Sequence, residues 1–282
     1  YAAQIMITMI AIAMLAATAI MFENPLILEW HNAASVFQDP VATHIGLSIL
    51  THHRGYFDIL PLYVVLMAMA PLIVVIHRTY PNLLLPVSLA VYLAALAFRI
   101  SLPAWPSEGQ WFFNPLAWQL VFVLGFLMAR ERGVGGFVRS NINKLRILAV
   151  PIVVWGALIS QFDGFWPDPT GMPEPKLLFV IYKPYVTPPR LIQFLALVAL
   201  MSATYPWIER WASSAVEFLA SLGRNSLHVF CVGSVLSLAA QIIRFIYKGN
   251  LLADTVVVVV GIALLALTAR LVEKRESKER RT

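Results

Sequence analysis

A polar segment runs directly into an apolar one in the stretch His52-His53-Arg54-Gly55-Tyr56-Phe57-Asp58-Ile59-Leu60-Pro61-Leu62-Tyr63. The apolar run continues through Ile76 and is long enough to cross a bilayer as a helix. Asp58 stands where it can cap the first turn of that helix, and a proline is tolerated there. A cap needs one acceptor and no cation, so the two histidines and the arginine at this rim indicate a second role, in binding or in chemistry.

The composition places the whole chain in a membrane. Of its 282 residues, 59% are hydrophobic and 13% are charged, and the mean hydropathy is +0.74. Ordinary soluble domains are far more polar. The net charge of +6 comes largely from the ends of apolar runs and from the C-terminal tail, which is typical of a protein at a membrane surface and not of a nucleic-acid-binding protein. Cys231 is the one cysteine, so a disulfide within the chain is excluded.

The apolar runs predict an all-α fold, a polytopic bundle of transmembrane helices. Taking runs of about 17–25 residues as spans, we find eight in this chain. They are Ala2–Phe22, Phe57–His77, Asn82–Ile100, Pro115–Arg130, Leu145–Phe162, Pro189–Tyr205, Ser226–Ile246 and Leu252–Val272. We expect one transmembrane domain over residues 1–272 and a charged cytoplasmic tail over residues 273–282. Because the chain enters an apolar run at once from Tyr1, it is expected to be part of a longer protein.

The distribution of lysine and arginine predicts the orientation of the bundle. The side of the membrane that is richer in these residues is expected to be cytoplasmic. Of the 21 lysines and arginines, fourteen lie on one side and seven on the other. The larger group consists of Arg78, Arg130, Arg132, Arg139, Lys144, Arg146, Arg210, Arg224, Arg270, Lys274, Arg275, Lys278, Arg280 and Arg281. The C-terminus is therefore expected in the cytoplasm, and the long connections 23–56, 101–114 and 163–188 on the outer face.

Polar and aromatic residues gather at the outer ends of the spans. Polar side chains at membrane depth are costly and tend to face the protein interior. The candidates of this kind are Asp58, Arg99, Gln119, Gln193, Arg224, His228, Gln241 and Arg244. Arg99 also has the alternative of snorkelling to the surface. Asn114 is followed by a proline, as at the start of a helix, so Asn114, Trp118 and Gln119 are expected to form a polar and aromatic wall near the outer surface. The aromatic residues of the outer loops have two readings, an interfacial belt or a carbohydrate-binding surface.

The histidines favour acid–base chemistry over metal binding. His44, His52 and His53 match none of the helical two-histidine zinc motifs, and no cysteine or carboxylate pair completes a ligand set. No metal and no tightly bound cofactor is therefore expected. A histidine near Asp58 suits general acid–base catalysis, because a carboxylate orients the ring and raises its basicity.

Three segments carry a resemblance to a known family. They are GYFDILPLY (55–63), NPLAWQLVFVLGF (114–126) and LGRNSLHVF (222–230). They resemble the OpgC family, membrane proteins that succinylate osmoregulated periplasmic glucans in Gram-negative bacteria and are related to the wider acyltransferase-3 group. The resemblance implies about ten spans, of which two would precede Tyr1. It also implies a cytoplasmic succinyl-CoA or other acyl-CoA donor, a periplasmic glucan acceptor, contact with membrane lipids, and a location in the bacterial inner membrane.

The resemblance also suggests roles for residues of this chain. The catalytic histidine of the wider group would lie on a span before Tyr1, and no position here matches it; within the chain the catalytic candidates are His53 and Asp58. The expected substrate-binding residues are His52, Arg54, Tyr56, Arg99, Trp111, Asn114, Trp118 and Gln119. The residues expected to attract the phosphates of CoA are Arg132, Arg139, Lys144 and Arg146, although the positive-inside rule accounts for them without a ligand.

A transporter or flippase of a polar solute or glycan is the rival interpretation. Such proteins show interrupted spans at corresponding positions of two halves. The chain shows only a weak echo of this kind, an aromatic and an Asx residue before a proline at the starts of the second and fourth spans. The sequence leaves the oligomeric state open.

Overall fold

The computed structural model describes residues 1–52, 57–162 and 171–279. Within these ranges the chain forms twelve α-helices and no strand, apart from one isolated bridge between Pro103 and Gln110. The helices are α1 (Ala2–Met21), α2 (Ser35–Gln38), α3 (Pro40–Ser48), α4 (Ile59–Thr79), α5 (Leu84–Ala97), α6 (Pro115–Met128), α7 (Val134–Ser140), α8 (Ile142–Gln161), α9 (Pro188–Trp211), α10 (Ser213–Arg224), α11 (Ser226–Ile246) and α12 (Leu251–Glu279). Two 3-10 helices, Pro25–Asn32 and Lys176–Leu178, lie in the connections. The prediction of an all-α fold is confirmed for the described residues.

Six helices are long and apolar enough to cross a bilayer: α1, α4, α8, α9, α11 and α12. Each coincides with a span predicted from the sequence. The other two predicted spans correspond to α5 and α6, which have 14 residues each. At 1.5 Å per residue each extends about 21 Å, less than the hydrocarbon thickness of about 30 Å. Six spans are therefore confirmed by length and composition, and the count of eight stays a prediction.

Asx-Pro pairs start three of the helical segments. In each pair the Asx side chain accepts a hydrogen bond from a backbone N–H of the first turn, and the proline occupies a position whose N–H needs no helical partner. The bonds are Leu26 N to Asn24 Oδ1 at 3.1 Å, Ala42 N to Asp39 Oδ1 at 3.2 Å and Leu116 N to Asn114 Oδ1 at 3.1 Å. The helix start predicted at Asn114 is thus confirmed.

The chain divides into two compact units. Unit 1 consists of Tyr1–Leu60, Trp105–Ser107 and Ile208–Thr282, and unit 2 of Pro61–Ala104 and Glu108–Trp207. In unit 1, α1 packs against α11 and against the 3-10 helix that follows α1. Buried apolar residues of this core include Ile7, Ala11, Leu15, Phe57, Leu238 and Ile242. The helix α12 packs along α11 but leaves most of its apolar side chains exposed, as expected of a helix that faces lipid.

Unit 2 contains the neighbouring helices α5 and α6, which pack closely against each other. Leu96, Ala117 and Leu120 are almost fully buried between them and the segment before α9. Tyr92 fastens that segment, because its hydroxyl donates at 2.8 Å to the carbonyl of Val186. The segment that precedes α9 is thereby held against the apolar core of unit 2.

An amphipathic helix, α10, follows α9. The helix α9 continues through Trp211, and α10 then runs from Ser213 to Arg224. The helix α12 extends through Glu279, so the described part of the predicted tail is helical. Arg224 links α10 to α12, because its Nη2 donates to Glu273 Oε1 at 2.9 Å and its Nε donates to the same oxygen at 3.3 Å.

Candidate functional site

His52 and the two serines beside its ring, Ser35 and Ser107, lie in unit 1 and are called the histidine cluster below. His52 follows the end of α3, and it is only 4% exposed. Its Nε2 atom lies 3.3 Å from Ser35 Oγ, and its Nδ1 atom lies 3.1 Å from Ser107 Oγ. Both ring nitrogens therefore face serine hydroxyls, one from α2 and one from the connection between α5 and α6.

The hydroxyl of Ser35 determines the tautomer of His52. It donates its single proton to the carbonyl oxygen of Asn32 at 2.7 Å, so its oxygen is left to accept from the histidine Nε2–H. The Nδ1 atom then carries the lone pair and accepts from the hydroxyl of Ser107. In this tautomer of the neutral ring, the nitrogen that can accept a proton faces Ser107.

Gly46 allows the loop that carries Ser107 to pack closely against α3. A Cβ atom at this position would lie 2.5 Å from the carbonyl oxygen of Trp105, so any larger residue would push the loop away. Thr51 adds two contacts: its carbonyl accepts from Trp105 N at 3.1 Å, and its hydroxyl lies 3.0 Å from Trp105 O. These contacts hold Ser107 next to His52.

His31 and Asn32 precede the cluster in a left-handed turn, with φ of +55° at each residue. Residues other than glycine lose roughly 1–2 kcal/mol in this conformation, although asparagine and histidine adopt it more readily than most. The turn directs the Asn32 carbonyl to Ser35 and places the His31 ring edge-on to Phe57, with the ring centroids 5.9 Å apart. A second histidine is thus brought beside the residue that precedes Asp58.

Asp58 directly precedes Ile59, the first residue of α4, and is 3% exposed. This is the place of an N-cap residue, and the expectation that Asp58 does not face lipid is confirmed. The predicted site residues His53, Arg54 and Tyr56 lie outside the described residues, so their roles in binding or catalysis stay predictions.

A cavity of about 890 Å³ adjoins the rings of His31 and Phe57 within unit 1. Its walls come mainly from α11 and α12 and are largely apolar, with Ser234, Ser237 and Gln241 among the lining residues. The volume is within the usual range for small-molecule sites. Such a cavity can hold an extended group of mixed polarity beside a histidine. Among the described residues, no three His, Cys, Asp or Glu side chains are grouped to hold a metal ion.

Asn114, Trp118 and Gln119 lie together in unit 2, and their polar groups bond to the protein. Asn114 caps α6 and donates from its amide at 2.7 Å to a backbone carbonyl. Trp118 Nε1 donates to the carbonyl of Pro184 at 3.1 Å. Gln119 is 3% exposed and bonds to Ser88, which confirms that it does not face lipid. That these three residues bind substrate stays a prediction.

Arg99 is an exposed cation of unit 2. Its backbone is left-handed with φ of +53°, which ends α5, and its side chain is 63% exposed. A contact of 3.6 Å to Glu174 is weak at this exposure, so a stronger anion can replace it. The Arg99 carbonyl lies 3.0 Å from the hydroxyl of Tyr185, and burial raises the pKa of Tyr185, which keeps its phenol neutral. Trp111 is buried nearby in the chain, 5% exposed.

The four basic residues expected to attract CoA differ in their surroundings. Arg132 and Lys144 are exposed. Arg139 donates to the carbonyl of Met128 at 3.2 Å and to that of Arg130, which satisfies the end of α6. The guanidinium of Arg146 bonds to Ser202 Oγ at 3.2 Å and to the backbone and an asparagine side chain nearby. Arg132 and Lys144 are therefore the better placed of the four to meet phosphates.

Sequence reasoning missed Ser35, Ser107 and Gly46, and it did not single out His31. No periodic pattern joins Ser35 to Ser107, because they are far apart in the chain and meet only through the packing of the loop against α3. The pair His31-Asn32 did carry a signal, since both residue types are enriched in left-handed turns.

The comparisons with known proteins give one match. The family model described as OpgC protein matches residues 1–277. No curated protein and no solved structure matches the chain. Because the family match spans nearly the whole sequence, the protein belongs to the OpgC family, and this membership implies a membrane acyltransferase that modifies glucans.

Proposed function

We propose that this protein transfers a succinyl group from succinyl-CoA to a hydroxyl of a periplasmic glucan, in the bacterial inner membrane. The observation that carries the proposal is the family match over residues 1–277, which takes in the histidine cluster, the apolar helices and the outer connections together. The donor and the acceptor are those implied by the resemblance of the three segments around residues 55–63, 114–126 and 222–230.

The reaction exchanges a thioester for an oxygen ester. A sugar hydroxyl attacks the thioester carbonyl carbon, the new C–O bond forms, the C–S bond breaks, and the hydroxyl proton ends on the sulfur of CoA. A base has to take that proton as the bond forms, and charge on the carbonyl oxygen has to be stabilised in the transition state.

The residues that precede α4 include candidate groups for the proton transfer. Ser35 accepts from Nε2–H of His52, which leaves Nδ1 towards Ser107, and an imidazole in its neutral form is a competent base near pH 7. Asp58 and His53 stay the other candidates. A buried carboxylate such as Asp58 stabilises an imidazolium that forms beside it, which would assist whichever histidine accepts the proton.

Two exposed features of unit 2 suit the succinyl group and the glucan. The Arg99 guanidinium can exchange its weak contact with Glu174 for the free carboxylate of succinate. The rings of Phe112 and Tyr182 are 40% and 46% exposed, and aromatic faces of this kind stack on sugar rings. Arg132 and Lys144, on the side expected to be cytoplasmic, are available to the phosphates of CoA.

The proposal is tested with purified protein, labelled succinyl-CoA and isolated glucan. Label should appear on the glucan in an ester linkage. Acetyl-CoA serves as the matched donor without a terminal carboxylate: Arg99→Gln should raise the KM for succinyl-CoA and leave that for acetyl-CoA, if it is used, unchanged. Failure to label glucan, together with movement of glucan across vesicles that contain the protein, would establish the transporter or flippase instead.

A further inference from the structure

Ser107, His52 and Ser35 form a continuous chain of hydrogen bonds in unit 1. Ser107 Oγ lies 3.1 Å from His52 Nδ1, His52 Nε2 lies 3.3 Å from Ser35 Oγ, and Ser35 donates to the Asn32 carbonyl at 2.7 Å. The histidine is buried, while Ser107 is half-buried. A hydroxyl on a basic ring nitrogen, with the other nitrogen oriented by a third group, is the arrangement of an activated serine nucleophile.

We propose that Ser107 is an acyl-carrying nucleophile, with His52 as its base and Ser35 as the residue that positions His52. The inference rests on the proposed function for its donor and acceptor. It adds a covalent intermediate, a succinyl ester on Ser107, between the thioester and the glucan.

The two half-reactions balance without an oxidant or a further reactant. In the first, His52 Nδ1 takes the proton of Ser107, Oγ attacks the thioester carbonyl carbon, the C–S bond breaks, and the leaving thiolate receives the proton from the imidazolium. In the second, a glucan hydroxyl gives its proton to Nδ1 and attacks the ester carbon. The bond from the carbonyl carbon to Ser107 Oγ then breaks, and Oγ takes the proton back.

The direction of the bonds distinguishes Ser107 from Ser35. The proton of Ser35 is engaged by the Asn32 carbonyl, and its oxygen accepts from Nε2–H, so Ser35 has no base available to it. Ser107 alone of the two faces the lone pair of the imidazole. Ser35 keeps the ring in the required tautomer before the proton transfer and continues to accept from Nε2–H when the ring is protonated.

A covalent intermediate fits the two substrates that the proposed function requires. CoA and a glucan are both large and polar. With an acyl-serine the donor and the acceptor react one after the other, and no ternary complex has to form. Such a mechanism also makes the first half-reaction reversible in the absence of glucan.

The decisive experiment measures that reversal in the purified, intact protein. Labelled CoA should exchange into unlabelled succinyl-CoA without any glucan present. Peptide mapping after a short incubation with succinyl-CoA should find one succinyl ester, on Ser107. Ser107→Ala should lower the exchange roughly a hundredfold or more, in the range expected for loss of a base–nucleophile pair. Ser48→Ala, an exposed serine on α3 whose hydroxyl bonds to the His44 carbonyl, is the matched control and should exchange at the wild-type rate.

Ser107→Cys guards against a loss that is only structural. A thiol at this position should accept the succinyl group as a thioester, which neutral hydroxylamine releases and which the serine ester resists. Ser35→Ala should lower the exchange rate but leave the ester on Ser107. These signatures follow from nucleophilic chemistry and would not arise if the three residues only fastened the loop.

The outcomes distinguish the proposed function from the proposed role of Ser107, His52 and Ser35, which we call the relay. Wild-type protein that labels glucan but shows no exchange, or Ser107→Ala protein that labels glucan within about twofold of wild type, overturns the relay and leaves succinyl transfer intact. Exchange that persists in Ser107→Ala likewise overturns it, because another residue then carries the group. Wild-type protein that neither exchanges nor labels glucan overturns the proposed function, and the relay with it.

Discussion

Gln119 and Ser88 exchange two hydrogen bonds across the contact between α5 and α6. Ser88 Oγ donates to Gln119 Oε1 at 2.7 Å, and Gln119 Nε2 donates to the Ser88 carbonyl at 2.8 Å. Both side chains are buried. The pair satisfies polar groups that would be costly to leave unbonded at this depth, so the structure already provides a reason for a glutamine that the sequence associates with substrate.

We predict that Gln119→Met lowers stability more than it lowers activity. Methionine keeps the volume but removes both bonds, at a cost of about 1–2 kcal/mol. Thermal unfolding in detergent measures the loss. Ser88→Ala removes the same side-chain bond, and the double variant should be less destabilised than the sum of the two. A large rise in KM for glucan at unchanged stability would instead support a substrate-binding role for Gln119.

The second prediction concerns Asp58, where a cap and a catalytic carboxylate have different requirements. Asn caps a helix about as well as Asp, so Asp58→Asn is mild if the residue only caps α4. If its charge supports a histidine, transfer to glucan should fall at least tenfold, a change in activation free energy of about 1.4 kcal/mol, while thermal stability stays near wild type.

Asp39→Asn is the matched control for this change. Asp39 is exposed and caps α3 through a 3.2 Å bond from Ala42 N, and it has no place in the proposed site. We expect its activity to equal that of wild type. Activity of Asp58→Asn within about twofold of wild type would return Asp58 to the role of a cap.

The third prediction concerns the link between Arg224 and Glu273. Arg224 makes two contacts to one carboxylate oxygen, at 2.9 and 3.3 Å, and Asn225 adds a third bond at 3.3 Å. Arg224→Ala and Glu273→Ala should each lower the melting temperature slightly, and the double variant should lower it no further than Glu273→Ala, which already removes every bond of the network. A network of three residues couples their effects on stability more strongly than a single exposed ion pair does, so the coupling between Arg224 and Glu273 should be measurable.

A second ion pair in unit 1 provides the comparison. Arg244 and Asp254 lie 3.8 Å apart and are similarly exposed. A single long contact of this kind should show no coupling, so the effects of Arg244→Ala and Asp254→Ala should simply add. Stronger coupling at Arg244 than at Arg224 would contradict the argument from geometry.

The fourth prediction is the orientation, which rests on the distribution of fourteen and seven basic residues. Val41 is 71% exposed and lies in the connection expected on the outer face. A membrane-impermeant thiol reagent should label Val41→Cys in intact cells, and Ser277→Cys only after the cells are permeabilised. Cys231 is buried, so the parent protein should give little background. The reverse labelling pattern would invert the bundle and every assignment of a face.

The positions of the helices followed from the sequence because their causes are local. The length of an apolar run predicts a span, and an Asx-Pro pair predicts where a helix begins, as Asn114 shows. The lengths of α5 and α6 were overestimated. Hydropathy does not report the left-handed backbone at Arg99 that ends α5, since arginine adopts this conformation only where the surrounding fold requires it.

The site depended on tertiary structure. The sequence by itself determined an all-α membrane protein, its family and a polar segment before α4, because composition and contiguous motifs carry that information. The close backbone approach at Gly46 holds the loop of Ser107 beside His52, and the left-handed turn at His31-Asn32 brings the Asn32 carbonyl to Ser35 on the other side of the ring. Hydrogen bonds between distant segments depend on distances of a few tenths of an ångström, and only the packed fold sets those distances.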